Sequence, residues 1–323
     1  MRRLLGAARR RLRLAKWTFL LRSQTIARAF VASGGRSQLL NRDRSRVIVG
    51  NSELAISERN ADLLFGEHRR LASLSKNQGA RWANLGAEGL SVEISGIRMV
   101  ASTSEQIFII DEVFSEKVYG LVSNGPARVI DIGANIGTAT LYFANHPWVD
   151  KVIGFEPIEP TYQKAKHNIA LNPLIASKIR LFNFGLAGSD REETVTYSES
   201  WAGSVGLRVT HPAVANAPDR RDERMRLRNA STALQELGLG TDNVKTFVKM
   251  DCEGAEYEII NNLSESGLLK HVSALMVEWH DAGGGPLVQV LLKNGFVVVE
   301  GKVSADKRTG LVYAMRDSKT NIG

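Results

Sequence analysis

The chain has 323 residues, of which 43% are hydrophobic and 24% charged: enough apolar material for a sizeable core and too little charge for wholesale disorder. Its formal charge of +8 is uneven, because residues 1 to 42 hold eleven Lys or Arg and no acid, which leaves 31 basic against 34 acidic residues downstream. A basic region reading nucleic-acid phosphates is therefore not expected beyond the arm, the single Cys252 permits neither an intramolecular disulfide nor a cysteine-built zinc site, and no run of about 18 apolar residues offers a membrane span.

From Arg2 to Phe30 the periodicity predicts a basic amphipathic helix, with Leu5, Ala8, Leu12, Ala15, Phe19 and Ile26 near one face and Arg2, Arg9, Arg13 and Lys16 on another. Such an arm suits peripheral contact of residues 1–30 with an anionic membrane. A targeting peptide and a solvated or oligomer-forming arm are the alternatives. Ser33 to Gly35 reads as a hinge. Residues 52 to 75 read as a second amphipathic helical segment carried by Leu54, Leu63, Leu64 and Leu71. Leu90 to Val100 and Gln106 to Ile110 have β character, and Val113 to Val122 reads as a short helix. The expected division is an arm at 1–42, a helical and β extension at 43–110 and an α/β domain at 111–323.

From Arg128 onwards buried-strand runs alternate with helical segments. Strands are expected at Val129–Ile132, Val152–Phe155, Ile179–Phe184, Thr194–Tyr197, Thr246–Met250 and Ala274–Glu278, and helices at Thr138–Asn145, Thr161–Leu171, Thr232–Leu237 and Tyr257–Leu263. That alternation implies βαβ units and a mostly parallel sheet. Phe296–Val303 and Leu311–Met315, around a Lys-Arg-Thr-Gly turn, predict a closing hairpin with an antiparallel strand. Trp201 to Arg228 fits no element and reads either as a lid or as a variable solvated loop.

The first strand runs into Asp131-Ile-Gly133-Ala-Asn135-Ile-Gly137 and then a helix. Glycines at such a turn allow positive φ and close approach of a ligand, and the spacing differs from the G-x-G-x-x-G of dinucleotide sites. Glu156, nineteen residues past Gly137 in Gly154-Phe-Glu-Pro157, stands where an acid accepts ribose hydroxyls. Turn and acid together point to a nucleoside, and the acidic Asp131 with the turn amides suits the amino-acid end of S-adenosylmethionine. Downstream, alternation along Lys249-Met-Asp251-Cys-Glu253 points Lys249, Asp251 and Glu253 the same way at the ligand-binding edge of the sheet, with Glu278 and His280 on the next strand beside them. Asp251, Glu253 and His280 are the candidate catalytic groups: Asp251 or Glu253 as general base, as holder of an acceptor hydroxyl or as a help in holding a divalent ion, and His280 as an alternative base; the other reading is a structural polar cluster in which Glu253 accepts helix N-terminal amides. No metal site is expected. Cys252 is expected to point into the sheet packing, His146 to cap carbonyls at a helix end, and Trp201 to stack on an acceptor or cover the core.

Five stretches, Val129-Ile-Asp-Ile-Gly-Ala-Asn-Ile-Gly137, Gly154-Phe-Glu-Pro157, Asn168-Ile-Ala-Leu-Asn172, Lys249-Met-Asp-Cys-Glu-Gly-Ala-Glu256 and Val277-Glu-Trp-His280, resemble the FkbM family of S-adenosylmethionine-dependent methyltransferases. The resemblance covers roughly residues 112 to 300. It implies a Rossmann-like class I methyltransferase fold over 111–323 and O-methylation of a sugar, glycan, polyketide or other secondary metabolite, hence a small-molecule or glycan acceptor. The single cysteine fits a reducing compartment, so the cytoplasm is the expected location, with the arm allowing peripheral contact with a membrane. By the family pattern Asp131, Gly133, Asn135 and Gly137 would hold the methionine end and Glu156 the ribose, while Glu112 and Tyr119 match positions that close over the cofactor. The chain departs from that pattern at Asn229-Ala-Ser231, where Thr-Leu-Asp is usual, and Ser231 is the expected cap of the following helix. Two other readings stay open: a nicotinamide-dependent oxidoreductase on the same crevice, and a membrane- or partner-binding adaptor with an inactive Rossmann domain. The oligomeric state is not legible.

Overall fold

In a computed structural model the protein is described over residues 2–207, 210–305 and 308–316. It divides into two compact units, Met1–Lys117 and Val118–Gly323, so the boundary lies at Lys117 and the arm and extension form one unit.

In the first unit the expected single helix is two, α1 (Arg2–Leu21) and α2 (Gln24–Ala32). The break is chemical: Arg22 turns to φ 54° and Ser23 caps α2 by accepting from the Ile26 amide. Trp17 packs edge-on against Phe30, and Phe30 against Phe65, with ring centroids 4.4 and 5.1 Å apart, which fixes the arm to the extension. A hairpin, β1 (Arg46–Val49) and β2 (Ser52–Ala55), precedes α3 (Ala61–Gly66) and α4 (His68–Gln78), so the segment expected as helix from residue 52 begins as a strand that carries Leu54. A three-stranded antiparallel sheet follows, β3 (Arg81–Asn84), β4 (Leu90–Ile94) and β5 (Ile97–Ala101).

Two expectations fail here. Gln106–Ile110 belongs to a helix, α5 (Ser104–Asp111). Thr103 Oγ1 accepts from the Gln106 amide and Gln106 Oε1 from the Ser102 amide, and Ile107 and Ile110, three apart, are both buried; these side-chain caps and a helical face override the β-branched composition. The helix expected at Val113–Val122 is only a π-helical turn, Glu112–Glu116, ended by Lys117 at φ 53°.

The second unit carries the sheet anticipated from the alternation. Its strands are β6 (Ala127–Ile132), β7 (Val149–Phe155), β8 (Ile179–Phe182), β9 (Gly185–Ala187), β10 (Arg191–Tyr197), β11 (Arg221–Asn229), β12 (Thr246–Met250), β13 (Ala274–His280), β14 (Phe296–Val303) and β15 (Thr309–Arg316). Its helices are α6 (Thr138–Ala144), α7 (Glu159–Ala170), α8 (Pro173–Ala176), α9 (Pro212–Ala215), α10 (Ala230–Glu236), α11 (Glu256–Glu265) and α12 (Gly285–Lys293). Seven strands form one sheet in the order β14-β15-β13-β12-β6-β7-β8, and only β15 runs against the rest. This is the Rossmann-like α/β architecture with its antiparallel closing hairpin. Every residue of β6 and β12 is buried, as expected of central strands covered on both faces. The chain leaves β6 for β7 on one side while β12 lies on the other, so a crevice opens between the carboxyl ends of β6 and β12. Lys307 of the expected turn lies outside the described residues, and Thr309 and Gly310 already belong to β15.

The segment without an assigned element contains β11. With β9 and β10 it forms a second, three-stranded sheet, and the second half of β11 alternates: Met225 and Leu227 are buried while Arg224 and Arg226 are exposed. The cap of α10 is Asn229, whose side chain accepts from the Thr232 amide, rather than Ser231, which donates its hydroxyl to Asn229.

Candidate active site

The β6–α6 loop is shaped by its own amides. Gly133 and Ala134 donate to the Phe155 carbonyl, Asn135 to Glu156 Oε2, Ile136 to the Asn135 side chain and Gly137 to the Ala134 carbonyl. The expectation that these amides greet a ligand is therefore corrected: they hold the loop. Asn135 sits at φ 50° and Gly137 at 87°, both conformations that Asn and Gly reach at least cost. Asn168 of α7 donates to the Ile136 carbonyl and locks the turn from behind.

Asp131 is fully buried beneath the loop, where Thr140 Oγ1 donates to it at 2.5 Å and the Lys249 ammonium lies 3.2 Å away. Lys249, itself buried, also donates to the Gly133 carbonyl at 2.6 Å and stands 3.8 Å from Asp251. Asp131 and Lys249 thus neutralise each other inside the sheet and anchor the turn.

Glu156 closes β7 at the mouth of the crevice. Its Oε1 accepts from the Ile158 amide and its Oε2 from Asn135, each at 2.9 Å, and burial pushes its carboxyl up to about 7 against the opposing pull of those two amides. Both oxygens keep a further lone pair for a guest's hydroxyls.

On the other side, Asp251 follows β12, its amide tied to the Ile132 carbonyl and its Oδ2 accepting from the Tyr119 hydroxyl at 3.3 Å. The Lys249 ammonium lies over the Tyr119 ring, 5.5 Å from its centroid. Glu253, at φ 54°, turns its carboxylate to within 3.6 Å of His280 Nε2, and Asp251 Oδ1 lies 4.0 Å from the same nitrogen. His280 Nδ1 is 2.9 Å from Glu256, a completely buried carboxylate that also accepts from the Cys252 and Gly254 amides. The amide-accepting role foreseen for Glu253 thus belongs to Glu256. Burial alone would lower the His280 pKa; the Glu256 bond and the carboxylates of Glu253 and Asp251 outweigh it and raise it to about 10. Burial, with the neighbouring carboxylates, raises Glu253 to about 8 despite the counter-pull of His280.

The structure therefore brings together Gly133, Asn135, Glu156, Tyr119, Asp251, Glu253 and His280. Glu112 belongs to the first unit and is not placed with them. Glu256 was missed, although an acid opening a helix just after Asp-Cys-Glu-Gly was the available signal. Cys252 borders the cleft and, as expected, packs against the hydrophobic core of the sheet, as a thiol held protonated above all by burial. His146 stacks on Trp148, 5.4 Å between centroids, and Lys178 donates to the carbonyls of Ala144 and His146 in its stead. Trp201 is partly exposed in the turn Glu199–Trp201.

The cleft encloses about 70 Å³ and is walled by Phe155, Ile158, Leu186, Leu207, Met225 and Leu227. Among the described residues every charged side chain lining it is acidic: Glu156, Asp251 and Glu253. The segment from Ala202 to Leu207 roofs it, with the Leu207 amide bonded to the Glu253 carbonyl. A larger cleft of about 750 Å³ lies at the opposite edge of the sheet, where β12 and β13 begin. Three of its cations are engaged, Arg128 by Asp242, Lys245 by Asn124 and Arg316 by the carbonyls of Leu269, Val272 and Asn294, while Lys270 and His271 also line it, and it is remote from the acidic crevice.

The methyltransferase FkbM domain family matches residues 131–298, just over half of the chain. Methyltransferase sdnD of Sordaria araneosa is 26% identical over 240 residues, 67% of this chain and 92% of that protein. The AMB antimetabolite synthetase AmbE of Pseudomonas aeruginosa is 27% identical over 245 residues, 63% of this chain, and the match spans only 11% of AmbE's length. Among solved structures, methyltransferase FkbM of Methylobacillus flagellatus superposes with a TM-score of 0.40 at 14% identity, covering 90% of this chain and 59% of that one.

Proposed function

Because the chain belongs to the FkbM family of methyltransferases, whose methyl donor is S-adenosyl-L-methionine, we propose that it methylates a hydroxyl oxygen of a sugar, glycan or secondary metabolite, with the donor between Glu156 and Asp251 and the acceptor at Asp251, Glu253 and His280. The observation that carries this reading is the charge of the cleft. A sulfonium donor is cationic and bears a free ammonium, and among the described residues the charged groups lining the cleft are all carboxylates. A nicotinamide dinucleotide brings a pyrophosphate to a wall that holds no Lys, Arg or His among the described residues, and the loop amides that would bind it are already used. Glu156 would take the ribose hydroxyls, Asn135 and Gly133 would flank the methionine end, and the apolar wall of Phe155, Ile158 and Leu186 would take the adenine. The donor supplies an electrophilic methyl group, and its admission requires the Ala202–Leu207 roof to yield.

In the reaction the acceptor oxygen attacks the methyl carbon in line, the C–S bond breaks with its electron pair staying on sulfur, and S-adenosylhomocysteine leaves. The hydroxyl proton must go elsewhere. The Glu256 bond and the neighbouring carboxylates favour the protonated His280, so it serves to hold and orient; Glu253, pushed up to about 8, is itself protonated near neutrality, and the proton falls to the Asp251 carboxylate. Glu256 fixes the imidazole, so that Nε2 faces the crevice. The test is transfer of labelled methyl from S-adenosylmethionine to a panel of hydroxyl, amine and thiol acceptors, with product linkage read by NMR. An O-methyl product lost in Asp251→Asn supports the reading; methylation confined to nitrogen or sulfur refutes it.

A further inference from the structure

We infer that Asp251, Glu253 and His280 form a binding site for a divalent first-row cation, a deepening that rests on the same acceptor-side assignment. The three offer one ligand atom each, all within 4.8 Å of one another. The separations discriminate between two arrangements. A hydrogen bond from imidazole to carboxylate spans about 2.7–3.2 Å. Ligands sharing one ion at about 2.1 Å are separated by roughly 3 to 4 Å, according to the angle between them. His280 Nε2 stands 3.6 Å from Glu253 and 4.0 Å from Asp251, beyond a hydrogen bond to either and at the spacing of a shared ion.

An independent observation points the same way. The His280 side chain is 9% exposed, and its Nε2 makes no hydrogen bond among the described residues, whereas Nδ1 is 2.9 Å from the buried Glu256. A carboxylate behind the far nitrogen keeps a proton on Nδ1, so that an ion which displaces the Nε2 proton meets a correctly oriented donor atom, and this is the usual support of a metal-ligating histidine. The Asp251 oxygens are likewise divided: Oδ2 takes the Tyr119 hydroxyl, and Oδ1 is left toward His280. One imidazole and two carboxylates suit Mn²⁺ or Zn²⁺ better than the all-oxygen preference of Mg²⁺. Three protein ligands leave coordination positions open toward the cleft, where an acceptor oxygen would stand.

Mn²⁺ titration of the full chain, followed by loss of the free-ion EPR signal, tests the site. One saturable Mn²⁺ per chain is expected, weakened at least tenfold by His280→Ala and by Glu253→Gln in variants whose circular dichroism matches the parent. Asp251→Asn serves should either fail to fold. Absence of saturable binding, or binding unchanged in the folded variants, overturns the assignment. Calorimetry with S-adenosylhomocysteine on the same metal-free parent keeps the two readings apart: failure there refutes the donor assignment and leaves the cation site standing on its own titration.

Discussion

Replacing Gly133 by alanine should separate the two halves of the crevice. A Cβ on Gly133 would lie 1.7 Å from the Asp251 carbonyl oxygen and 2.8 Å from its carbon. Carbon and oxygen settle at roughly 3.3 Å, so the β6 turn and the end of β12 must part by about 1.5 Å. The atom in the way is backbone, tied by the Asp251 amide to Ile132, and it cannot swing aside. Gly133 also holds φ 80°, which adds about 1–2 kcal/mol for an L side chain. Together these predict a loss of roughly 2–4 kcal/mol and a fall in melting midpoint of about 5–10 °C. A displacement of this size in a positioned site costs on the order of 100-fold in rate, and S-adenosylhomocysteine affinity should fall at least about tenfold. Gly137→Ala is the internal control, because its Cβ would meet Ala165 at an ordinary 3.5 Å and suffer only the strain of φ 87°. Scanning fluorimetry and calorimetry on both variants decide the matter. If Gly133→Ala melts within about 2 °C of the parent and binds S-adenosylhomocysteine equally well, the close apposition of the turn and β12 is not what holds the site.

Three further outcomes follow from the buried charges and the arm. Glu156 goes from an ordinary 4.5 to about 7 on folding, so its contribution is most favourable below 4.5 and declines as pH rises through 7; Glu156→Gln should gain on the parent by up to about 3 kcal/mol across that window in denaturant titrations, and a pH-independent difference would contradict the buried state of this carboxyl. Lys249→Met leaves the Asp131 carboxylate buried without its cation and should cost about 3–5 kcal/mol, part of which Asp131→Asn restores in the double variant; additive losses would mean that the two do not compensate each other. On α1, Trp17 and Leu21 face inward while Leu12 and Phe19, 72% and 84% exposed, face outward beside Arg13 and Lys16, so the full chain should co-sediment with vesicles containing anionic lipid and not with zwitterionic ones. Phe19→Asp should abolish that binding, and retention would point to a different role for the arm.

The half of the crevice from β6 to the end of β7 was legible because it is local. Strand, turn, helix and the acid of the next strand occupy one stretch from Val129 to Glu156, and each has a short-range cause: glycines where φ is positive, Pro157 ending the strand. What failed depended on distant partners. Glu256 reads as an ordinary acid of a helix's first turn, and only β13, arriving 24 residues later with His280, makes it a buried support. Asp131 read as a ligand for the donor's ammonium, but Lys249, more than a hundred residues on, takes that charge first. Four successive apolar residues, Ile107 to Ile110, suit a strand as well as a helix, and the decision lay with Thr103 and Gln106. The charge run before Asn229 concealed β11 because only Met225 and Leu227 mark its buried face.

The most direct test of the central claim is a crystal structure of the chain with S-adenosylhomocysteine. The ribose is expected on Glu156 and the sulfur toward Asp251 and His280, with the Ala202–Leu207 roof moved outward. Ligand density at the opposite sheet edge beside Arg128 and Arg316, or an acidic crevice left empty at saturating ligand, would contradict the account.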